Sequence, residues 1–263
     1  MLRRIGNKKR IIPNLLQLFP PGITHFIDMF MGSGAVTFAM VDQQVRHIWS
    51  NDSDNEIYNL FCVLKDHPDL FTKYVELTPY HQTVFKQWKT QEEGDPIWQA
   101  VRFIYRSNFS YMGTSGMFCV TDAHPKFILL QAIPRILTKV KHVRFLCCDF
   151  RQVLPSINFH HPDRTADSTF IYADPPYINT GNNYQHSFTI QDTRVLLDIL
   201  CESGFKFGVS ERGSREIQTL AQEYQLTYHE IGEQKALKGR HTEVYLCNYD
   251  IHPVQATIFD LVA

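Results

Sequence analysis

The segment from residue 25 to residue 67 states one pattern twice: an apolar run of strand length, a turn of small or acidic residues, then a helix. In "THFIDMFMGSGAVTFAMVDQ", His25 to Met29 reads as a strand, "MGSG" as a turn and about Ala35 to Gln43 as a helix. In "VRHIWSNDSDNEIYNLFCVLKDH", Val45 to Ser50 reads as a strand and "NDSDN" as a turn carrying good helix caps. Ile57 to Lys65 then reads as a helix with apolar positions at i, i+3 and i+4. This alternation is the signature of a doubly wound, mostly parallel sheet in an α/β fold.

The alternation resumes late in the chain. "VRFLCCDF", "TFIYADPPY", "FKFGVSE", "LTYHEIG" and "TEVYLCNY" read as strands, with "TRVLLDILCES" and "REIQTLAQEY" as helices between them. The last two strands are expected to form an antiparallel hairpin at a sheet edge, joined by "EQKALKGRH". Residues 66–134 read differently. Helical stretches such as "PIWQAVRFIYRSNF" alternate there with a polar, glycine-bearing loop, "SYMGTSGMFCVTDAH". The expected organisation is one catalytic domain, residues 1–65 and 135–263, carrying an inserted and mainly helical domain at 66–134.

With 263 residues, 44% hydrophobic and 20% charged, the chain suits a soluble protein with a sizeable core. No run approaches the ~20 apolar residues of a membrane span, and no signal peptide is expected at the start. Cys62, Cys119, Cys147, Cys148, Cys201 and Cys247 form no C-x-x-C pair, which argues against a zinc ribbon. Adjacent Cys147 and Cys148 are expected as reduced core residues of an intracellular chain. The net charge of −1 demands no nucleic-acid partner, but two runs are locally basic. These are "RRIGNKKR", residues 3–10, and "RILTKVKHVR", Arg135 to Arg144. Each is a solvated face or a phosphate grip.

Three motifs carry chemistry. In "DMFMGSGAV" a strand-ending acid precedes G-x-G, which allows a tight turn and close approach of backbone to a ligand. Asp52 follows about 20 residues later at the next strand end, where an acid can accept from ribose hydroxyls. Thr37 stands where a third glycine would serve a pyrophosphate, which favours S-adenosylmethionine over a dinucleotide. The third motif is "DPPY", Asp174 to Tyr177. An exocyclic amine on an aromatic ring is a poor nucleophile because its lone pair is delocalised. A carboxylate from Asp174 and a carbonyl from Pro175, stiffened by Pro176, would draw the nitrogen toward tetrahedral geometry. Tyr177 would offer a face for the ring.

"IGNKKRIIPNLL", "FIDMFMGSGAVTF", "SNDSDNEIYNLF", "YRSNFSYMGTSG", "CCDF" and "IYADPPY" resemble, in order, the successive motifs of Dam-type DNA adenine-N6 methyltransferases. The resemblance covers about residues 4 to 248. It implies a Rossmann-like methyltransferase fold with a target-recognition insertion, S-adenosylmethionine as cofactor and double-stranded DNA as partner. It also implies an adenine flipped from the duplex, no metal, a monomer, and the cytoplasm of a prokaryote or its phage, as in restriction–modification.

Carried over position by position, the resemblance makes Asp174, Pro175, Pro176 and Tyr177 catalytic. It makes Arg4, Lys8, Asp28, Phe30, Gly32, Gly34, Asp52, Asp149, Phe150 and Asp174 cofactor-binding. Arg4 stands where the family has an aromatic residue, and Met29 where it has proline. DNA contacts are expected from Lys9, Arg10, Arg106, Asn108 and Tyr111, on a recognition pattern altered enough that the GATC target is not carried over. Other acceptors stay open, namely cytosine N4, RNA adenine or protein glutamine, as does a DNA-binding relative without catalysis.

Overall fold

The structure is a computed structural model that describes residues 8, 11–91, 93–110, 116–119, 125–158, 165–178, 188–236 and 239–251. Arg4, Lys9, Arg10 and Tyr111, and residues 179–187 after the D-P-P-Y motif, lie outside the described residues.

Among the described residues seven strands form one sheet. They are β1 (His25–Asp28), β2 (His47–Asn51), β3 (Val143–Leu146), β4 (Thr169–Ala173), β5 (Lys206–Arg212), β6 (Thr227–Ala236) and β7 (Gly239–Cys247). Their order is β3-β2-β1-β4-β5-β7-β6. The first five run parallel, and β7 enters antiparallel between β5 and β6. The sheet winds outward in opposite senses from the seam between β1 and β4. Strand order reverses at that seam, and ligands of open α/β sheets sit beyond the carboxyl ends there.

The strands bury both faces, and alternation decides which core each residue enters. Phe26, Ile48, Phe170 and Tyr172 face one core; Ile27, Trp49, Ile171 and Ala173 face the other. The first core is covered by α1 (Ile12–Leu18), α2 (Ala35–Asp42) and α3 (Asn55–Asp66). The second is covered by α8 (Phe150–Val153), α9 (Ile190–Glu202) and α10 (Arg215–Glu223). Start signals match the sequence: Asp54 caps α3 through Glu56 N–H, and Thr189 forms a capping box with Asp192 on α9.

The middle region is helical, with α4 (Pro68–Leu77), α5 (Gln82–Thr90), α6 (Pro96–Asn108) and α7 (Pro125–Val140). Phe71, Phe85, Trp88 and Ile104 join the same apolar cluster as α3. The insertion therefore shares a continuous core with the sheet, and a boundary at 134/135 would cut α7. No helix among the described residues is long and apolar enough to cross a membrane.

Three local expectations are corrected. β2 starts at His47, not Val45, because Gln44 takes φ 60° and Val45 N–H returns to Met40 O at 3.2 Å. Those two residues close α2. The expected connector "EQKALKGRH" is mostly ladder, since Glu233 pairs Thr242 and Ala236 pairs Gly239. Its polarity marks an edge strand, not a loop. Cys147 and Cys148 are only half-buried, because they lie just past the end of β3, with Cys148 packed against the margin of the second core.

Gly208 on β5 shows how tightly the first core is packed. A Cβ there would lie 1.9 Å from the Tyr245 hydroxyl, so Gly208→Ala must displace that ring. Overpacking of this kind costs about 1–3 kcal/mol. Thermal melting is expected to show a clear loss for Gly208→Ala and almost none for Gly94→Ala, whose Cβ meets nothing within 4 Å.

Candidate active site

The loop after β1 and the strand end of β2 are tied together. Gly32 and Gly34 take φ 51° and 73°, conformations that favour glycine, and bring the chain back from β1 into α2. Gly32 N–H donates to Asp52 Oδ2 at 2.8 Å, and Met31 N–H donates to Asn51 O at 2.7 Å. Asn51 joins three strand ends. Its amide donates to Met29 O (3.1 Å) and Cys148 O (3.0 Å), and its Oδ1 accepts from Cys148 N–H (3.0 Å).

Asp28 lies beneath this loop and faces inward. It is buried, accepts from Thr37 Oγ1 at 2.6 Å and Phe30 N–H at 3.3 Å, and burial pushes its carboxyl up to about 7.

Across the seam, Met29 N–H donates to Tyr172 O at 2.9 Å, which places the end of β4 beside the glycine turn. The strand stops at Ala173, and Asp174–Tyr177 forms its tip. Lys8 meets this tip. Its ammonium, only 3% exposed, lies 2.9 Å from Asp174 Oδ1 and donates to the Tyr177 hydroxyl and to Glu243 Oε1. The Tyr177 hydroxyl donates to Glu243, whose oxygens lie at 2.8 and 3.0 Å. Three N–H bonds thus meet three oxygen partners.

Burial would lower the Lys8 pKa, but Asp174 and Glu243 override it and hold the ammonium charged. Burial raises Asp174 above the usual carboxylate range, and Lys8 opposes that rise. Asp174 keeps 20% of its side chain exposed, so it can reach a substrate. Burial, with the nearby Asp174 and Glu243, raises Tyr177 and keeps its hydroxyl protonated.

An aromatic surface borders the glycine turn. Phe30, Phe150 and Phe188 pack mutually with ring centroids 5.7–5.9 Å apart. Asp149 caps α8 through Arg151 N–H, and its carboxylate pairs with Arg151, which also reaches Asp192 at 2.6 Å. Arg106 ends α6 half-buried, 3.8 Å from Glu56, with its Nε buried and unpartnered among the described residues. Asn108 is buried, and its amide donates to Ile104 O at 3.0 Å. A base contact needs an exposed edge, and this side chain is turned into its own helix. A groove of about 860 Å³ between α1, α2 and α7 is lined by Pro13, Ser33, Gln131, Arg135 and Lys139 among others.

The structure therefore brings together Lys8, Asp174 and Tyr177 at the tip, and Phe30, Gly32, Gly34, Asp52 and Phe150 around the glycine turn. Glu243, Glu211, Asn51 and Phe188 were not legible as site residues. Glu243 and Glu211 lie on strands read only for their apolar pattern. A charged residue at a position where that pattern demands an apolar one was the available signal. Glu211 is 1% exposed, its Oε1 has no partner among the described residues, and burial pushes it up to about 8.

A family model described as D12 class N6 adenine-specific DNA methyltransferase matches residues 5–237. The "Type II methyltransferase M1.LlaDCHI" of Lactococcus lactis subsp. cremoris is 24% identical over 280 residues, 93% of either chain. The "Modification methylase StsI" of Streptococcus sanguinis is 22% identical over 238 residues, 80% of this chain and 34% of that one. The solved structure of Haemophilus influenzae HI0767 covers 90% of this chain and 94% of its own, at 12% identity and a TM-score of 0.35.

Asp28 and Glu211 both have folded-state pKa values above their ordinary ones, so folding binds their protons more tightly. Their contribution to stability is present below the ordinary carboxylate range and is lost as pH rises through about 7 and about 8. The melting temperature is expected to fall between about pH 4 and pH 8. Asp28→Asn should flatten the lower part of that slope and Glu211→Gln the upper part. A flat wild-type profile would contradict the assignment.

Proposed function

We propose a mechanism from one premise: the chain belongs to the D12 class N6 adenine-specific DNA methyltransferase family. It methylates DNA adenine. The methyl donor is S-adenosylmethionine, and the acceptor is the N6 amino group of an adenine flipped out of double-stranded DNA. The observation that carries this reading is the placing of the D-P-P-Y tip of β4 against the glycine turn of β1, at the reversal of strand order.

The residues present fit the donor. The Asp52 carboxylate lies at the turn to receive ribose hydroxyls, and Phe30, Phe150 and Phe188 offer apolar surface for a purine. The backbone at Gly32 and Gly34 leaves room for close approach. The donor supplies an electrophilic methyl on a positively charged sulfur. Asp174 and the Pro175 carbonyl accept the two N6 hydrogens and hold the amine for in-line attack. Tyr177 stacks on the ring, and the stiff Pro175–Pro176 link keeps acceptor and ring in register. With the donor bound, the amine nitrogen held by Asp174 and Pro175 would supply the electron pair of the new N–C bond, and the donor would supply the methyl and keep the leaving pair. The proton then made acidic leaves by way of Asp174. Positioning and electrostatics supply most of the rate.

DNA is gripped by basic positions on the recognition side. Arg106, one-fifth exposed at the end of α6, is assigned to bases, and Arg135 and Lys139 beside the groove to phosphates. Asn108 supports α6 from within. One relative is named a type II methyltransferase and the other a modification methylase, which supports DNA modification as the setting.

Labelled S-adenosylmethionine and unmethylated genomic DNA, digested to nucleosides after reaction, test this reading. N6-methyladenine is the expected product, and N4-methylcytosine as sole product would end it. Asp174→Ala should lower methylation by at least about 10³-fold while DNA binding stays within a few-fold. Arg106→Ala should relax sequence discrimination more than it weakens donor binding; equal losses would count against a recognition role.

A further inference from the structure

Glu243 belongs to no motif, yet it is 0% exposed. It stands on β7, opposite Arg212 of β5. Val244 and Leu246 enter the core under α8–α10, whereas Tyr245 and Cys247 enter the core under α1–α3. Alternation puts Glu243 on the face of Tyr245, the side from which Lys8 arrives. Both of its oxygens accept from the Tyr177 hydroxyl, and Oε1 also takes Lys8. The same ammonium reaches Asp174 at 2.9 Å, so the two carboxylates share it.

We propose that Glu243 is a positioning residue for methyl transfer, clamping the Tyr177 ring through its hydroxyl and drawing the Lys8 ammonium partly away from Asp174. Tyr177 is the platform for the base, and a tyrosine ring held by packing alone can rock. Two carboxylate oxygens on one hydroxyl restrict that motion. The second effect concerns lone pairs. Asp174 must offer an oxygen to N6, and an unshared ammonium would settle on it. A competing carboxylate on the far side of Lys8 leaves that oxygen available. The inference rests on the amine-methylation reading above.

The test compares wild type with Glu243→Gln, Tyr177→Phe and the double variant, using labelled donor and unmethylated DNA. Glu243→Gln should lower kcat by about 10²-fold with KM for DNA and donor affinity changed less than about threefold. Its acid limb should move to lower pH, because Glu243 is one of the groups that raise Asp174. The other charged or titratable groups acting on or near Asp174 are Lys8, Asp28, Tyr172, Tyr177 and Glu211. Tyr177→Phe keeps the ring and should lose about tenfold in kcat. The double variant should lose little more than Glu243→Gln alone, since one link is cut twice.

Additive losses, a stationary acid limb, or parallel falls in donor affinity and kcat would overturn the proposal. Should Glu243→Gln fail to fold, Tyr177→Phe decides: wild-type kcat in that variant overturns the clamp. A wild type that labels adenine while the variants are indifferent ends this inference alone. A wild type that labels no amine ends the functional reading as well.

Discussion

The buried ammonium of Lys8 is the contact on which the arrangement of the site depends. An isolated charge in the interior is costly, and it is tolerated only where paired and hydrogen-bonded. Here Asp174, Tyr177 and Glu243 supply three oxygens, one for each N–H. Those partners come from the tip of β4 and from β7, far apart in the chain. A segment near the start, a catalytic tip and a strand near the end are thereby fixed to one point. Removing any one partner leaves an N–H of the buried ammonium without its acceptor, so the cluster couples stability to the geometry of the tip.

The sheet supplies the frame for this contact. Reversal of strand order between β1 and β4 puts the glycine turn and the D-P-P-Y tip side by side without any long loop. Asn51 and Asp52 then set the other edge. One side chain joins the ends of β1, β2 and β3, and the next holds the glycine turn by the Gly32 N–H.

Much of this was legible in residue order because local signals and tertiary fold agree. Apolar strand runs, the cap at Asp54 and prolines ending β4 each act within a few residues. What stayed hidden depends on partners remote in sequence. Glu243 reads as one polar residue near an edge strand until β7 is seen to lie inside the sheet, between β5 and β6. Asn108 reads as a recognition residue by type, yet helix packing turns it inward to Ile104. Lys8 was expected near the cofactor, and the partners that occupy it are set by strands 166 and more residues away in order, from Asp174 to Glu243. The connector "EQKALKGRH" misled because an edge strand and a loop share a polar composition.

Lys8 meets Asp174, Tyr177 and Glu243 at the tip of β4, whereas a donor contact was expected of it, and Lys8→Gln separates the two roles directly. Donor dissociation constant and single-turnover methylation rate would be measured on the same preparation. The account predicts a donor affinity within about threefold of wild type and a methylation rate lower by about 10²-fold or more. A donor affinity that collapses while the rate at saturating donor stays near wild type would contradict it.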